Sequence, residues 1–378
     1  MKVGILTFHH TTNYGATLQA YALWKTVKQC GYDVEIIDYR PYKTAINYLG
    51  RLMPVKPVHG NYSKYKLESY FILYTIQSWK MRRFLVSKMD LSKEKVYKKA
   101  GLEKFKDKYD IVICGSDQIW HTGDKFIGGF NPAFFLDFVD AERTRKISYA
   151  PSFGQTVNLG TNKQLISQLI SQFDRIAVRD SNSLRLIEQE CNKPATKVLD
   201  PTFLNDFNEF KSEPKIDREY VLLYSIKSYT AEQENKIKSL IASVPKLKKL
   251  PIVSLARPCK IADTNLITID PEEWVGYFRK ASYVITSSYH GTIFSIKFKR
   301  PFTVFTQPNN IKIKDLLKNL NLENRIIDAE NTELLAEQSE AINYDSVYTI
   351  IENKIEQSKQ YLIDALNTSK KTEKLSIK

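Results

Sequence analysis

Residues Lys2–Phe8 read KVGILTF, an apolar run with no polar alternation, as expected of a strand buried on both faces. A polar loop follows, His9–Gly15 (HHTTNYG). Ala16–Cys30 (ATLQAYALWKTVKQC) then repeats Leu18, Tyr21, Ala22 and Val27 at helical spacing. Gly31 closes that helix, and Val34–Ile37 (VEII) is a second strand. Strand, loop, helix and strand in this order open a parallel, doubly wound sheet.

The alternation continues outward from there. Residues 61–89 have a helical pattern, and a lysine-rich stretch runs on to Lys108. Asp110–Cys114 (DIVIC) is a buried strand leading into the loop Gly115–Trp120 (GSDQIW). Lys146–Ala150 and Arg175–Arg179 read as strands, Lys163–Phe173 and Ser181–Glu190 as helices. After Val198–Leu199 comes Asp200-Pro201 and a loose charged segment to Arg218, which marks a domain boundary. Strands are then expected at Tyr220–Ile226, Ile252–Leu255, Tyr283–Ser287 and Phe302–Phe305. Between and after them lie helices Ala231–Ala242, Glu272–Ala281, Gly291–Phe298 and Ile311–Leu320, and a long helix from Tyr344 to about Leu366 ends the fold. A chain of 378 residues suits two domains. The expected organisation is α/β: two Rossmann-like domains, 1–205 and 206–343, facing across a cleft, with a C-terminal helix and basic tail at 344–378.

The net charge of +14 is unevenly placed. Residues 41–110 carry sixteen Lys/Arg against six acids, hence +10, and the tail from 368 adds +3. This basic helical insertion, 41–108, also holds Tyr70, Phe71, Tyr74, Trp79 and Phe84. Three readings fit: a solvated helical insertion, a surface for anionic lipid or a polyanionic substrate, or a nucleic-acid module. Against the last, no RNP, KH or zinc-finger signature is present. Four well-separated cysteines without a CxxC pair argue against a disulfide scaffold or a structural zinc site. The N-terminal MKVGILTFHH is too short for a signal peptide, and no run of about 18 apolar residues occurs. A cytoplasmic protein, at most peripheral at the inner membrane face, is expected.

Ligands collect at the carboxyl ends of parallel strands, and three loops stand out there. His9–Gly15 ends in Asn13, Tyr14 and Gly15, with a helix N-terminus behind the glycine to face an anion. Ser116–His121 crowds Asp117, Gln118, Trp120 and His121 together. A carboxylate and an indole suit a sugar's hydroxyls and its pyranose face; the alternative is a capped turn with a core tryptophan. The third and strongest is Ser287–Thr292 (SSYHGT), where His290 follows a strand at the first turn of a helix. Helix-end potential there suits anionic ligands and disfavours the imidazolium.

These loops together resemble the polysaccharide pyruvyl transferase family. The resemblance rests on Asn13-Tyr14-Gly15-Ala16 with Leu18-Gln19-Ala20, on Gly115–Trp120, and on Ser148–Gly154 (SYAPSFG). It continues through Val178-Arg179-Asp180 with Ser183, Asp200-Pro201-Thr202, and Ser288-Tyr289-His290-Gly291 with Phe294-Ser295, all in family order. It implies a GT-B-like fold and transfer of the enolpyruvyl unit of phosphoenolpyruvate onto two sugar hydroxyls, giving a cyclic ketal and phosphate. The family's catalytic histidine falls on His290, and its donor-holding arginine on Arg179. Donor contacts are then expected from Arg179, Ser288, Tyr289 and Gly291. Acceptor contacts are expected from Asn13, Tyr14, Gly15, Asp117, Trp120 and His121. The acceptor would be a lipid-linked or nucleotide-linked saccharide. No cofactor or metal is implied, and the histidines lack HxxxH or HExxH spacing.

One departure bears on the donor. Where well-known family members have Arg-Leu before the histidine, this chain has Ser288-Tyr289. A serine offers only a neutral hydrogen bond where arginine forms a bidentate ion pair. Either another cation substitutes, with Lys297, Lys299, Lys312 and His121 as candidates, or the donor differs. A GT-B-like glycosyltransferase using a nucleotide sugar is therefore the second enzymatic reading. A basic membrane-surface or nucleic-acid binding module is the non-enzymatic one.

Overall fold

The first strand, β1 (Lys2–Leu6), lies in the middle of its sheet, which is why its apolar run lacks alternation. The structure is a computed structural model describing residues 1–42, 44–45, 64–123, 129–306, 310–328 and 337–368. Most of the basic insertion before Lys64, and the basic tail beyond Thr368, lie outside the described residues.

In the first half, β1 pairs in parallel with β2 (Asp33–Ile36) and β3 (Ile111–Cys114), and β3 with β4 (Arg145–Ser148). The order is β2-β1-β3-β4. A short pair, β5 (Ala177–Val178) and β6 (Thr196–Lys197), continues past β4, where Ala150 N donates to Ala177 O at 3.2 Å. Helix α1 (Tyr14–Gln29) crosses from β1 to β2, capped by Asn13 Oδ1, which accepts from Gly15 N at 3.1 Å. Helix α2 (Lys64–Lys88) precedes β3; α3 (Lys163–Ile170) and α4 (Ser181–Arg185) flank β5.

The second half has six parallel strands: β7 (Val221–Tyr224), β8 (Ile252–Leu255), β9 (Thr264–Leu266), β10 (Tyr283–Thr286), β11 (Phe302–Phe305) and β12 (Ile326–Ile327). Their spatial order, β9-β8-β7-β10-β11-β12, is the 3-2-1-4-5-6 sequence of a dinucleotide-binding sheet. The helices here are α5 (Ala231–Ser243), α6 (Pro271–Lys280), α7 (Tyr289–Lys297) and α8 (Ile311–Lys318).

Sequence reasoning did not anticipate β9 and β12. β9 (TNL) is polar and largely exposed, while β12 is two residues long, so neither presents an apolar run. Ser181–Glu190 is one helix in the sequence but changes pitch, since Leu186–Glu190 winds as a wider π turn. Helix α7 begins at Tyr289 rather than Gly291, because Ser288 Oγ accepts from Gly291 N at 3.3 Å and caps it.

Three features tie the halves together. Tyr14, at the start of α1, stacks on Trp274 of α6 with ring centroids 5.9 Å apart, and its hydroxyl donates to Ile269 O at 2.7 Å. The last helix, α9 (Tyr344–Asn367), starts against the second half, where Tyr348 OH donates to Lys297 O at 2.6 Å. It ends on the first, where Tyr361 OH donates to Ser148 O and Arg145 Nη1 to Leu366 O at 3.0 Å. The basic α2 also reaches across, pairing Lys80 with Glu273 at 3.0 Å. Among the described residues, no helix is long and apolar enough to cross a membrane.

Candidate active site

Strand order reverses between β1 and β3 in one sheet and between β7 and β10 in the other, the points where ligands collect in such sheets. At the first, Gln19 ties the two loops together: its Nε2 donates to Thr7 Oγ1 at 3.0 Å and its Oε1 accepts from Ser116 N at 3.2 Å. At the second, Ser225 and Ser287 hydroxyls meet at 2.9 Å. The two points face each other so closely that a Cβ on Gly15 would sit 2.2 Å from His290 Cγ and Nδ1. The glycine that the sequence offers as an anion site is thus where the first half makes room for the histidine of the second.

Around His290 lies a buried charge cluster. Its Nε2 stands 3.4 Å from Asp200 Oδ2, an ion-pair distance without hydrogen-bond geometry. The same Asp200 oxygen accepts from Arg179 Nη1 at 2.9 Å, and Asp200 Oδ1 accepts from Thr202 N and Oγ1 at 3.0 and 2.7 Å. Burial pushes the Asp200 carboxyl up, but His290, Arg179 and Thr202 outweigh it and hold it well below the usual carboxylate range. Arg179 reaches Asp117 Oδ1 through Nη2 at 3.4 Å, and its guanidinium lies over the Tyr289 ring, 4.4 Å from the centroid. Asp180 beside it caps α4, accepting from Ser183 N at 2.8 Å and from Ser152 Oγ. Two buried nitrogens, Arg179 Nε and His290 Nε2, have no hydrogen-bond partner.

Of the four cations considered as replacements for the missing arginine, Lys312 is the one brought here. Its Nζ lies 5.6 Å from the Tyr289 ring centroid. Burial, then Arg179, lowers its pKa to about 8 against the pull of Asp117, Asp180 and Asp200. Lys297 points instead at Phe207 and Lys299 at Tyr348. His121 packs against Gly154, whose added Cβ would meet its Cδ2 at 2.6 Å.

Other expected contacts are placed differently. Trp120 is fully buried, stacked on Phe135 at 5.1 Å with its Nε1 donating to Phe134 O at 2.9 Å. It belongs to the core, because the loop after β3 turns its ring inward against Phe153 and Phe173, so it presents no face to a sugar. Tyr14 joins the two halves, Asn13 caps α1, and Ser288 spends its hydroxyl on the α7 cap. Gly291 allows close packing, since a Cβ there would lie 2.2 Å from Thr286 Oγ1. Asp117 does reach the cluster, through Arg179.

Asp200 is the central residue to which sequence reasoning gave no role, although Asp200-Pro201-Thr202 carried part of the resemblance. A second buried histidine also went unassigned. His9 Nε2 lies 3.0 Å from Asp38 Oδ1, and Asp38 accepts both Nε and Nη2 of Arg40. Among the described residues, no group of three His, Cys, Asp or Glu could hold a metal ion.

Two parallel Rossmann-like sheets closing on a buried His–Asp–Arg cluster define a GT-B-like architecture. Solved structures share it. A Listeria monocytogenes protein assigned as a UDP-N-acetylglucosamine 2-epimerase superposes with a TM-score of 0.50 at 11% identity, covering 96% of this chain and 91% of that one. A Staphylococcus aureus MnaA–UDP structure gives 0.50 at 12% identity, covering 96% of each. No curated protein sequence matches the chain. Residues 13–309 match the polysaccharide pyruvyl transferase family, and the chain belongs to that family. It is therefore a transferase, with a saccharide acceptor implied by the family.

Proposed function

We propose that the enzyme transfers the pyruvyl unit of phosphoenolpyruvate onto two hydroxyls of a saccharide, forming a cyclic ketal of the kind found in bacterial surface polysaccharides. The observation that carries this reading is the pair of buried nitrogens that make no hydrogen bond, Arg179 Nε and His290 Nε2, beside Lys312. Buried donors without acceptors are rare in folded proteins, and an anionic ligand supplies the missing partner.

In this reading, His290 protonates the methylene carbon of the donor, leaving C2 electron-poor. One sugar oxygen adds to C2, the C2–O bond to phosphate breaks with its electron pair, and the second sugar oxygen adds in its place. Of the two hydroxyl protons released, one restores His290 and the other leaves with phosphate. Arg179 and Lys312 hold the donor's anionic groups and steady the charge that builds on the departing phosphate. Asp200 faces the imidazole Nε2 and fixes the orientation of the ring. Saccharide-dependent release of phosphate from phosphoenolpyruvate, abolished in His290→Ala, is the expected result. Wild-type turnover in that variant removes His290 from the role.

Ser288 in place of the family's arginine favours a second reading, a glycosyltransferase using a nucleotide sugar, in keeping with the fold shared with a UDP-bound structure. Calorimetric titration separates the two. Binding of UDP-sugars without binding of phosphoenolpyruvate selects the second.

A further inference from the structure

Helix α2 carries apolar side chains on both its inward and its outward face. Gln77, Met81, Phe84 and Leu85 turn inward and are buried. On the opposite side Ile72, Ile76, Trp79 and Val86 follow at spacings of four, three and seven, forming one stripe. These four side chains are 58, 39, 57 and 65% exposed, and no other described helix leaves such a row uncovered. Arg83 falls on the same stripe with its guanidinium 5.5 Å from the Trp79 ring centroid, and Arg82 borders it. The described ion pairs of this helix involve Lys80 and Lys88, which hold Glu273 and Glu272 of the second half.

We propose that this face of α2 docks the enzyme on an anionic lipid bilayer, with Ile72, Ile76, Trp79 and Val86 in the interface and Arg82 and Arg83 among the head groups. An apolar row carrying a tryptophan and flanked by arginines matches the chemistry of an interfacial helix. The surrounding segment, residues 41–110, has a net charge of +10, complementary to anionic lipid. That same charge opposes a second copy of the chain on this face, because a two-fold contact sets Arg82 and Arg83 against themselves. Nucleic acid gains nothing from isoleucine and valine in the row. The inner side of the helix touches the catalytic region, where Gln77 Nε2 donates to Tyr14 OH at 3.0 Å, one residue from Gly15. Docking would therefore hold the cleft close to the membrane surface. The proposal rests on α2 alone and stands whether or not the donor is phosphoenolpyruvate.

The test is flotation of the full chain with vesicles of phosphatidylcholine alone or mixed with phosphatidylglycerol in roughly equal parts. Binding is expected to the mixed vesicles only, falling about tenfold in Ile76→Ser/Trp79→Ser and likewise in Arg82→Glu/Arg83→Glu. Trp24, Trp120 and Trp274 are buried, so a blue shift of tryptophan emission on adding mixed vesicles reports Trp79. All four substituted side chains are exposed, and thermal melts are expected to match wild type. Three results overturn the proposal: wild-type vesicle binding by the Ile76/Trp79 variant, a dimer that this variant dissolves without any vesicle binding, and binding of RNA or DNA in place of lipid that is lost in this variant.

Discussion

His290 Nε2 and Asp200 Oδ2 stand 3.4 Å apart, and the same carboxylate oxygen takes Arg179 Nη1 at 2.9 Å. One buried oxygen thus faces both the imidazole and the guanidinium on which the proposed chemistry depends. The two groups come from opposite halves of the chain, and the carboxylate lies at the junction between them.

Asp200→Asn therefore acts on two groups at once. It keeps the shape but removes the charge that faces His290 and Arg179, so kcat is expected to fall more than KM rises. Leaving Arg179 with a weakened buried partner costs about 3 kcal/mol. Steady-state phosphate release and a urea melt measure the two effects separately. His290→Gln should lower kcat about a hundredfold or more with little loss of stability.

Asp200 also predicts an acid dependence. Its folded pKa is depressed, so its stabilisation is present above about pH 4, the unfolded value, and is lost as pH falls toward the folded one. Between about pH 5 and pH 3 the urea midpoint of wild type should fall more steeply than that of Asp200→Asn. Equal slopes would show that other carboxylates dominate acid unfolding.

If Lys312 holds the donor as proposed, it is expected to set an alkaline limit on donor binding. Its pKa is lowered to about 8, so the ammonium that attracts an anion is present below that pH and disappears as pH rises through it. Affinity for phosphoenolpyruvate should decline above about pH 8 in wild type but not in Lys312→Arg, whose guanidinium stays charged. Lys312→Ala should bind about tenfold more weakly at neutral pH. Calorimetric titration across that range tests both statements.

Gly15→Ala probes the contact between the halves. Its Cβ would fall 2.2 Å from two ring atoms of His290, and neither helix start yields easily. Stability should drop by about 1–3 kcal/mol, and turnover about a hundredfold from displacement of the histidine. A variant with normal kcat would show that the two halves separate during turnover.

Trp120→Phe distinguishes a core residue from a sugar platform. With the indole buried among Phe135, Phe153 and Phe173, the melting temperature should fall while the KM for the saccharide is unchanged. A raised KM at constant stability would return Trp120 to the acceptor site.

Much of this arrangement was legible in the chain. Runs such as Lys2–Phe8 and Asp110–Cys114 have no polar alternation because both faces of a parallel sheet are covered, and this local signal survives without knowledge of neighbours. Hence the doubly wound class, nearly every longer element and the placement of His290 after a strand followed from sequence. β9 and β12 did not, because edge strands this short take their identity from the neighbour they pair with.

The sequence by itself determined which loops sit at the carboxyl ends of strands, since strand ends and helix starts are set by local pattern and capping. Tertiary structure decided which of those residues meet. Asp117 and Trp120 are three positions apart in one loop, yet one turns to Arg179 and the other into a phenylalanine cluster, a choice made by packing. Ser288, Asn13 and Tyr14 were drawn into caps and an inter-half contact, because an unmet backbone donor or a buried hydroxyl claims the nearest partner first. Asp200 and Lys312 joined the site across long stretches of chain, through electrostatics that no local pattern encodes.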